Sequence, residues 1–177
     1  MSFLKEFISN PSMVWTCLPC FSSLVNNVLN NVDFNQDLKI VEYWPWKWNF
    51  LKPILNKASD SSEIISLELN DWFFGYCKDE FNDSRLSLFN DSAENVSNYV
   101  ESNVDVIISW VPLSALDKDS RYNILKASRN ILKEWWIYLQ YQYFSSAMND
   151  IKEIFPNVKK NRVFNHLPPA VYYLAKK

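Results

Sequence analysis

Residues 41–50 read VEYWPWKWNF, with Trp44, Trp46 and Trp48 at every second position and Pro45 and Lys47 between them. Strict alternation is the period of a β-strand, and aromatic side chains suit a pleated, half-buried surface. Pro45 conflicts with that reading, because proline offers no ladder donor and is confined to sheet edges and bulges. The same alternation would equally serve as a stacking platform for a sugar or a base. Neither reading accounts for the residues on either side.

The chain has 177 residues, enough for one domain with a sizeable core. Its 48% hydrophobic content fits a globular protein. No apolar run approaches the ~18 residues of a membrane span, and no signal segment opens the chain. A cytoplasmic location is therefore expected. A net charge of −2 and a pI near 5.4 argue against a broad nucleic-acid footprint. Two counts are abnormal together: eight Trp and one Gly, where about 7% Gly, roughly 12 residues, is usual. A glycine-poor fold meets difficulty wherever φ must be positive.

The cysteines are Cys17, Cys20 and Cys77. Cys17-Leu18-Pro19-Cys20, close to Trp15, has redox spacing, but such a motif follows a strand within a βαβ unit and little chain precedes it here. A zinc site would need Cys77 and the sole histidine, His166, at unsuitable spacing. Reduced structural thiols, and no metal, are expected.

Along the chain, helical periodicity covers residues 2–8 and 21–32. Strand and helix patterns then alternate. Strands are predicted at 38–43, 63–69, 85–90, 104–109 and 137–143, with helices at 49–58, 71–81, 94–101, 118–132 and 145–154 between and after them. Two closing strands, VKKNRVF and AVYYLAK, flank Asn165-His166-Leu167-Pro168-Pro169. This rhythm predicts a mostly parallel α/β sheet closed by a strand pair. In such sheets ligands bind beyond the carboxyl ends of the strands. Those ends carry Glu42 to Trp48, Leu67-Glu68-Leu69-Asn70, Asn90-Asp91-Ser92-Ala93-Glu94 and Ser109-Trp110-Val111-Pro112-Leu113. Leu132-Lys133-Glu134-Trp135-Trp136 precedes strand five.

With Gly written for Trp, the first segment becomes E-Y-G-P-G-K-G-N-F. That resembles the acidic-x-Gly-x-Gly-x-Gly loop of class I S-adenosylmethionine-dependent methyltransferases. The segment before strand five becomes L-K-E-G-G, similar to that family's L-K-P-G-G turn. Ser109 to Leu113 becomes S-G-V-P-L, similar to the S-G-L-P-[FL] of the phospholipid N-methyltransferase branch. The opening FLKEFISNPSMVWTCLPCFSSLV and the closing RVFNHLPPAVYYL resemble that branch's F-L-x-x-F-x-x-N-P-x-x-V-G-x-x-x-P-S-S and R-V-x-x-N-x-P-P-A-x-V-Y. The likeness runs in order over nearly the whole chain.

Seven of the eight tryptophans fall on family glycines: Trp15, Trp44, Trp46, Trp48, Trp110, Trp135 and Trp136. Trp72 has no such counterpart. Some bacterial lineages read UGA as glycine, whereas a common alternative table reads it as tryptophan, so one decoding difference would account for all seven. Positive φ costs a non-glycine residue roughly 1–2 kcal/mol, and over-filling a packed site about 1–3 kcal/mol. Seven such sites approach the ~5–15 kcal/mol stability of a domain. The polypeptide with tryptophan at these positions is expected to bind the cofactor poorly.

The resemblance implies a Rossmann-like fold, with a seven-stranded mostly parallel sheet, an antiparallel C-terminal strand pair and helices on both faces. It implies an N-terminal helical segment (1–35) on the acceptor or membrane side and an S-adenosylmethionine-binding domain (36–177). It places Glu42 and the loop carrying Trp44, Trp46 and Trp48 at the methionine end of S-adenosylmethionine. Glu68 would accept the ribose hydroxyls, and Asp91, Ser92 and Ala93 would sit by the adenine. Ser109 and Pro112, the candidate catalytic positions, would line the acceptor side. Each position has a plainer reading. Glu42 and Glu68 would be solvated strand-end carboxylates, Asp91 a helix cap, Ser109 a turn residue and His166 a surface histidine. Lys47 stands where the family loop has Thr or Ser, Glu134 where it has Pro, and Cys20-Phe21 where the opening has paired serines.

A phosphatidylethanolamine-like head group is the first acceptor implied, with the stripe Phe3, Leu4, Phe7 and Ile8 lying on the inner membrane face or packing on the core. An rRNA adenine dimethyltransferase is the second. That branch has N-[LI]-P-[YF], whose aromatic stacks on the extruded base, and residues 109–113 lack both the Asn and the aromatic. If the tryptophans are genuine, a third reading is a catalytically dead methyltransferase fold serving as a scaffold.

Overall fold

The computed structural model describes residues 21–45, 50–142, 147–163 and 170–177. The expected helix at 2–8, Trp15, Cys17, Cys20, Trp46, Lys47, Trp48, Tyr143 and His166 lie outside the described residues.

Short apolar runs rich in Ile and Val form the strands at the sheet's centre: β1 (Lys39–Tyr43), β2 (Glu63–Leu67) and β4 (Val104–Ser109). Beside them lie β3 (Leu86–Phe89), β5 (Leu132–Gln142), β6 (Asn157–Val163) and β7 (Ala170–Lys176). Together they make one seven-stranded sheet in the order β3-β2-β1-β4-β5-β7-β6. The first five run parallel, and β7 lies antiparallel between β5 and β6. This is the expected mostly parallel sheet with its antiparallel C-terminal pair.

Period-two alternation divides the core between the two faces. Ile40, Ile64, Val106, Ile108 and Leu139 meet Leu24 and Val28 of α1 (Phe21–Leu29) and Leu51 and Ile54 of α2 (Leu51–Lys57) on one face. Val41, Ile65, Ile107 and Tyr138 meet Ile124 and Leu125 of α4 (Lys118–Ile131) and Ile151 of α5 (Met148–Ile154) on the other. α3 (Asp71–Glu80) follows β2. Asn70 caps it, its side chain accepting from the N–H groups of Trp72 and Phe73 at 3.0 and 3.1 Å.

Two elements differ from their sequence-based expectation. The helix expected at 94–101 is a 3-10 helix over Ala93–Asn98. β5 begins at Leu132 rather than at 137, because its pairing with β4 continues across an irregularity. Val104 pairs with Leu132 but Val106 with Ile137. The surplus residues of β5 bulge, and Trp135 within them takes φ 69°.

Positive φ falls on three described residues: Trp44 (63°), Asn103 (66°) and Trp135 (69°). Asn is enriched in this region, whereas a bulky Trp there is an outlier because of the Cβ clash. The one glycine, Gly75, sits inside α3 without positive φ and with open space where a Cβ would stand. The one glycine is thus found where the backbone does not need it, and two tryptophans, Trp44 and Trp135, where it does, whereas Trp72, Trp110 and Trp136 have no positive φ.

Candidate functional site

The strand order reverses between β1 and β4, so the crevice between their carboxyl ends is the expected ligand position. β1 ends on Glu42-Tyr43 and the chain leaves the sheet through Trp44, whose N–H still donates to the Leu67 carbonyl at 2.9 Å. β2 ends at Leu67 and is followed at once by Glu68, whose N–H donates to the Phe89 carbonyl at 3.0 Å. Parallel pairing aligns Glu42 with Ser66 and with Ile108, bringing the three strand ends level.

A cleft opens at this level. Trp44, Glu68, Asp91, Ser92, Ala93 and Pro112 line it, together with Leu67, Leu69, Glu94, Val111, Leu116 and Ile124. Six of the ten sequence-selected residues therefore share one cavity. Glu42 and Ser109 are fully buried outside that lining. Trp46 and Trp48 lie outside the described residues.

The two glutamates are the site's unusual feature, since buried carboxylates are normally paired. Glu68 Oε1 accepts from the Asn70 N–H at 2.8 Å, while Oε2 has no hydrogen-bond partner. Glu42 Oε2 accepts from Ser66 Oγ at 3.4 Å, a long contact, and Oε1 has none. Burial raises the Glu42 carboxyl to about 8, against the Ser66 hydrogen bond and with the Glu68 charge adding to the rise. Burial likewise raises Glu68 to about 8, opposed by the Asn70 and Leu69 N–H groups. Buried Cys77 is pushed up to about 12 by desolvation and then by the same two carboxylates.

On the next wall, Asp91 Oδ1 accepts from the Ser92 N–H at 2.6 Å and from Asn95 Nδ2 at 2.8 Å, and Oδ2 accepts from Tyr99 at 2.8 Å. The bond from Asn95, aided by those from Tyr99 and Ser92, holds its carboxyl below the usual range. Ser92, not Asp91, caps the 3-10 helix, its Oγ accepting from the Glu94 N–H at 3.3 Å. Tyr99 stacks on Phe89 at 4.1 Å and so ties this wall to β3.

The cleft is small. It encloses about 40 Å³, room for about three waters at ~10–15 Å³ each, whereas small-molecule sites usually span ~300–1,000 Å³. Trp44 is among the side chains that fill it. Its polar groups suit a nucleoside, because Glu68 presents an open acceptor from the end of β2. Its volume does not suit one while an indole stands at 44. Trp110 differs from Trp44: it is buried without positive φ, tilted against Phe50 at 4.7 Å and Tyr141 at 4.2 Å.

Leu67, Leu69, Glu94 and Val111 of the lining lie within the strand-end segments read from the sequence, whereas Leu116 and Ile124, which complete it, and Gln140 and Gln142 behind it carried no such signal. The two glutamines had one available signal, since each interrupts an otherwise aliphatic and aromatic strand, IYLQYQ. Among the described residues no cluster of His, Cys, Asp and Glu is arranged to hold a metal, and no helix is long and apolar enough to cross a membrane.

No family model matches the sequence, and no curated protein is detectably similar to it. The fold has many solved counterparts. TrmN from Thermus thermophilus superposes with a TM-score of 0.72 at 13% identity, over 87% of this chain and 48% of that one. Magnesium protoporphyrin IX methyltransferase (ChlM) from Synechocystis, solved with bound S-adenosylmethionine, gives 0.67 at 7% identity over 89% and 77%. Precorrin-6y C5,15-methyltransferase from Geobacter metallireducens gives 0.69 at 13% identity over 88% and 89%. The chain therefore spans about half the length of TrmN and most of the length of the other two. At these identities the likeness is one of fold, a Rossmann-like sheet of the methyltransferase type.

Proposed function

We propose that this chain is an S-adenosylmethionine-dependent methyltransferase whose functional form carries glycine at positions 15, 44, 46, 48, 110, 135 and 136. The observation that carries the proposal is the positive φ at Trp44 and Trp135. The family pattern independently assigns glycine to both positions. Decoding UGA as glycine would place glycine at all seven, and UGG codons at 44, 46 and 48 in the gene would refute it.

The cofactor would supply an electrophilic methyl group on a sulfonium that carries its own leaving group. The chain's residues would then bind and orient. Glu68 Oε2, buried and without a partner, is suited to accept hydroxyl protons from a ribose. Glu42, buried at the end of β1 with its carboxyl raised to about 8, would serve as a hydrogen-bonding group near the methionine end of the ligand. Asp91, Ser92 and Ala93 form the wall where an adenine would lie, and Val111 and Pro112 would line the acceptor side of the same cleft. The chain's part in the transfer would be to hold an acceptor amine in line with the methyl group and to exclude water.

For the acceptor, the reading is a phospholipid amine head group. Its support is the S-x-V-P-L segment at 109–113 and the opening and closing segments of the sequence. Titration of the chain with S-adenosylmethionine by calorimetry tests the cofactor reading. The chain with Trp at 44, 46 and 48 is expected to show no binding, and the triple Trp→Gly variant to bind. No binding by a folded triple variant overturns the reading. For the tryptophan-bearing chain the ~40 Å³ cleft favours the second reading, a scaffold without cofactor, and strong binding by that chain would exclude it. Transfer of labelled methyl groups to phosphatidylethanolamine vesicles tests the acceptor, and labelling of rRNA but not lipid would reverse the assignment.

A further inference from the structure

We infer that Gln140 and Gln142 are positioning residues that fix the backbone of residues 109–112 as one wall of the cleft. The inference rests on the methyltransferase reading for its role in a reaction, and on geometry alone for the clamp itself.

β4 ends at Ser109, and Trp110 and Val111 turn away from the sheet. Carbonyls in such a turn lose their ladder partners and, when buried, must find others. The parallel register sets Gln140 opposite Ser109, and Gln142 projects from the same face two residues on. Both are buried, at 0% and 3% exposure. Gln140 Nε2 donates to the Val111 and Tyr141 carbonyls at 2.9 Å each and lies 3.3 Å from the Ser109 carbonyl. Gln142 Nε2 donates to the same Val111 carbonyl at 2.9 Å. Each amide is oriented from behind: Tyr138 donates to Gln140 Oε1 at 2.5 Å, and Ser114 contacts Gln142 Oε1 at 3.5 Å.

The Val111 carbonyl, which already accepts from the Leu113 N–H at 2.8 Å within the turn, thus also receives both glutamine amides. Val111 and the adjoining Pro112 line the same cleft as Glu68 and Asp91. A buried glutamine loses side-chain entropy on folding, and one donor would satisfy one carbonyl. Two glutamines on one face of one strand, converging on one carbonyl, instead hold a segment against sliding in either direction. Methionine matches glutamine in length but cannot donate, so Gln→Met removes the clamp while keeping most of the packing.

Hydrogen exchange on Gln140→Met and Gln142→Met in the chain as it stands tests the clamp. Amides of 110–116 are expected to exchange roughly tenfold faster, the worth of about one hydrogen bond, with β1 and β2 unchanged. Parent-like exchange in 110–116, or equal loosening across the sheet, overturns it. Where the glycine-bearing chain transfers methyl groups, the same variants are expected to lose roughly tenfold or more in kcat, with the dissociation constant for S-adenosylmethionine within about twofold of the parent. Loss of kcat and cofactor affinity together would reduce the glutamines to fold stabilisers. An inactive parent would count against the functional reading while the exchange result still decides the clamp.

Discussion

Two exposed tryptophans separate backbone conformation from exposure. Trp135 is 79% exposed at φ 69°, and Trp72 is 61% exposed in the first turn of α3. Neither makes a large contribution to the core. Trp135→Gly removes the left-handed penalty and is expected to stabilise the protein by about 1 kcal/mol. Trp72→Gly is expected to destabilise by about 0.5–1 kcal/mol, through helix propensity and loss of contacts with Phe73 and Tyr76. Urea midpoints of the two variants check the pair. Shifts of the same sign would show that backbone conformation does not distinguish these positions. Trp110 and Trp136 lack this signature, and their place among the seven rests on sequence pattern alone.

At the scale of elements, the strands are legible because Ile- and Val-rich runs of four to seven residues lie between polar segments. The start of β5 is not, because a bulge keeps residues 132–136 in the sheet although they resemble a turn. The strand-end residues Glu68, Asp91, Ser92, Ala93 and Pro112 are legible for a topological reason: parallel strands deliver their carboxyl ends to one crevice. Gln140 and Gln142 are not, since polar residues alternating in a strand suggest a solvated face. Only the placement of β5 between β4 and β7, with both faces covered, reveals them as buried. The same topology buries two carboxylates at the ends of β1 and β2, and a pH dependence follows. Their folded pKa values, raised from 4.5 to about 8, exceed those of the unfolded chain. Between these limits the folded state holds more protons, so their contribution is fully present below about 4.5 and is lost as pH rises through about 8. The urea midpoint is expected to fall between pH 5 and pH 9, and Glu42→Gln and Glu68→Gln to flatten that fall. A midpoint that rises over this range in the parent, with no change in slope in either variant, would show both carboxylates ionised in the fold.

For the whole molecule, the net charge of −2 conceals a segregation that bears on the lipid acceptor proposed above. Six of the eighteen Lys and Arg residues, but one of the twenty Asp and Glu residues, fall within 152–177. That stretch includes the sheet-edge strand β6, where Lys159, Lys160 and Arg162 have no ion-pair partner among the described residues. Arg162 pairs with Val171, which pairs with Gln142, so the cationic edge runs toward the end of the sheet that holds the cleft. Edge lysines also discourage pairing with another chain, and the two roles separate by experiment. Each cation near an anionic surface is worth about 1 kcal/mol, screened within a Debye length. Co-sedimentation with phosphatidylglycerol vesicles is expected at low ionic strength and to weaken as salt is added. Replacing Lys159, Lys160 and Arg162 by Gln is expected to lower vesicle affinity by roughly 10²-fold. A triple variant that aggregates while binding vesicles as the parent does would assign the edge to protection alone. The lipid reading would then have to find its route to the membrane on another surface.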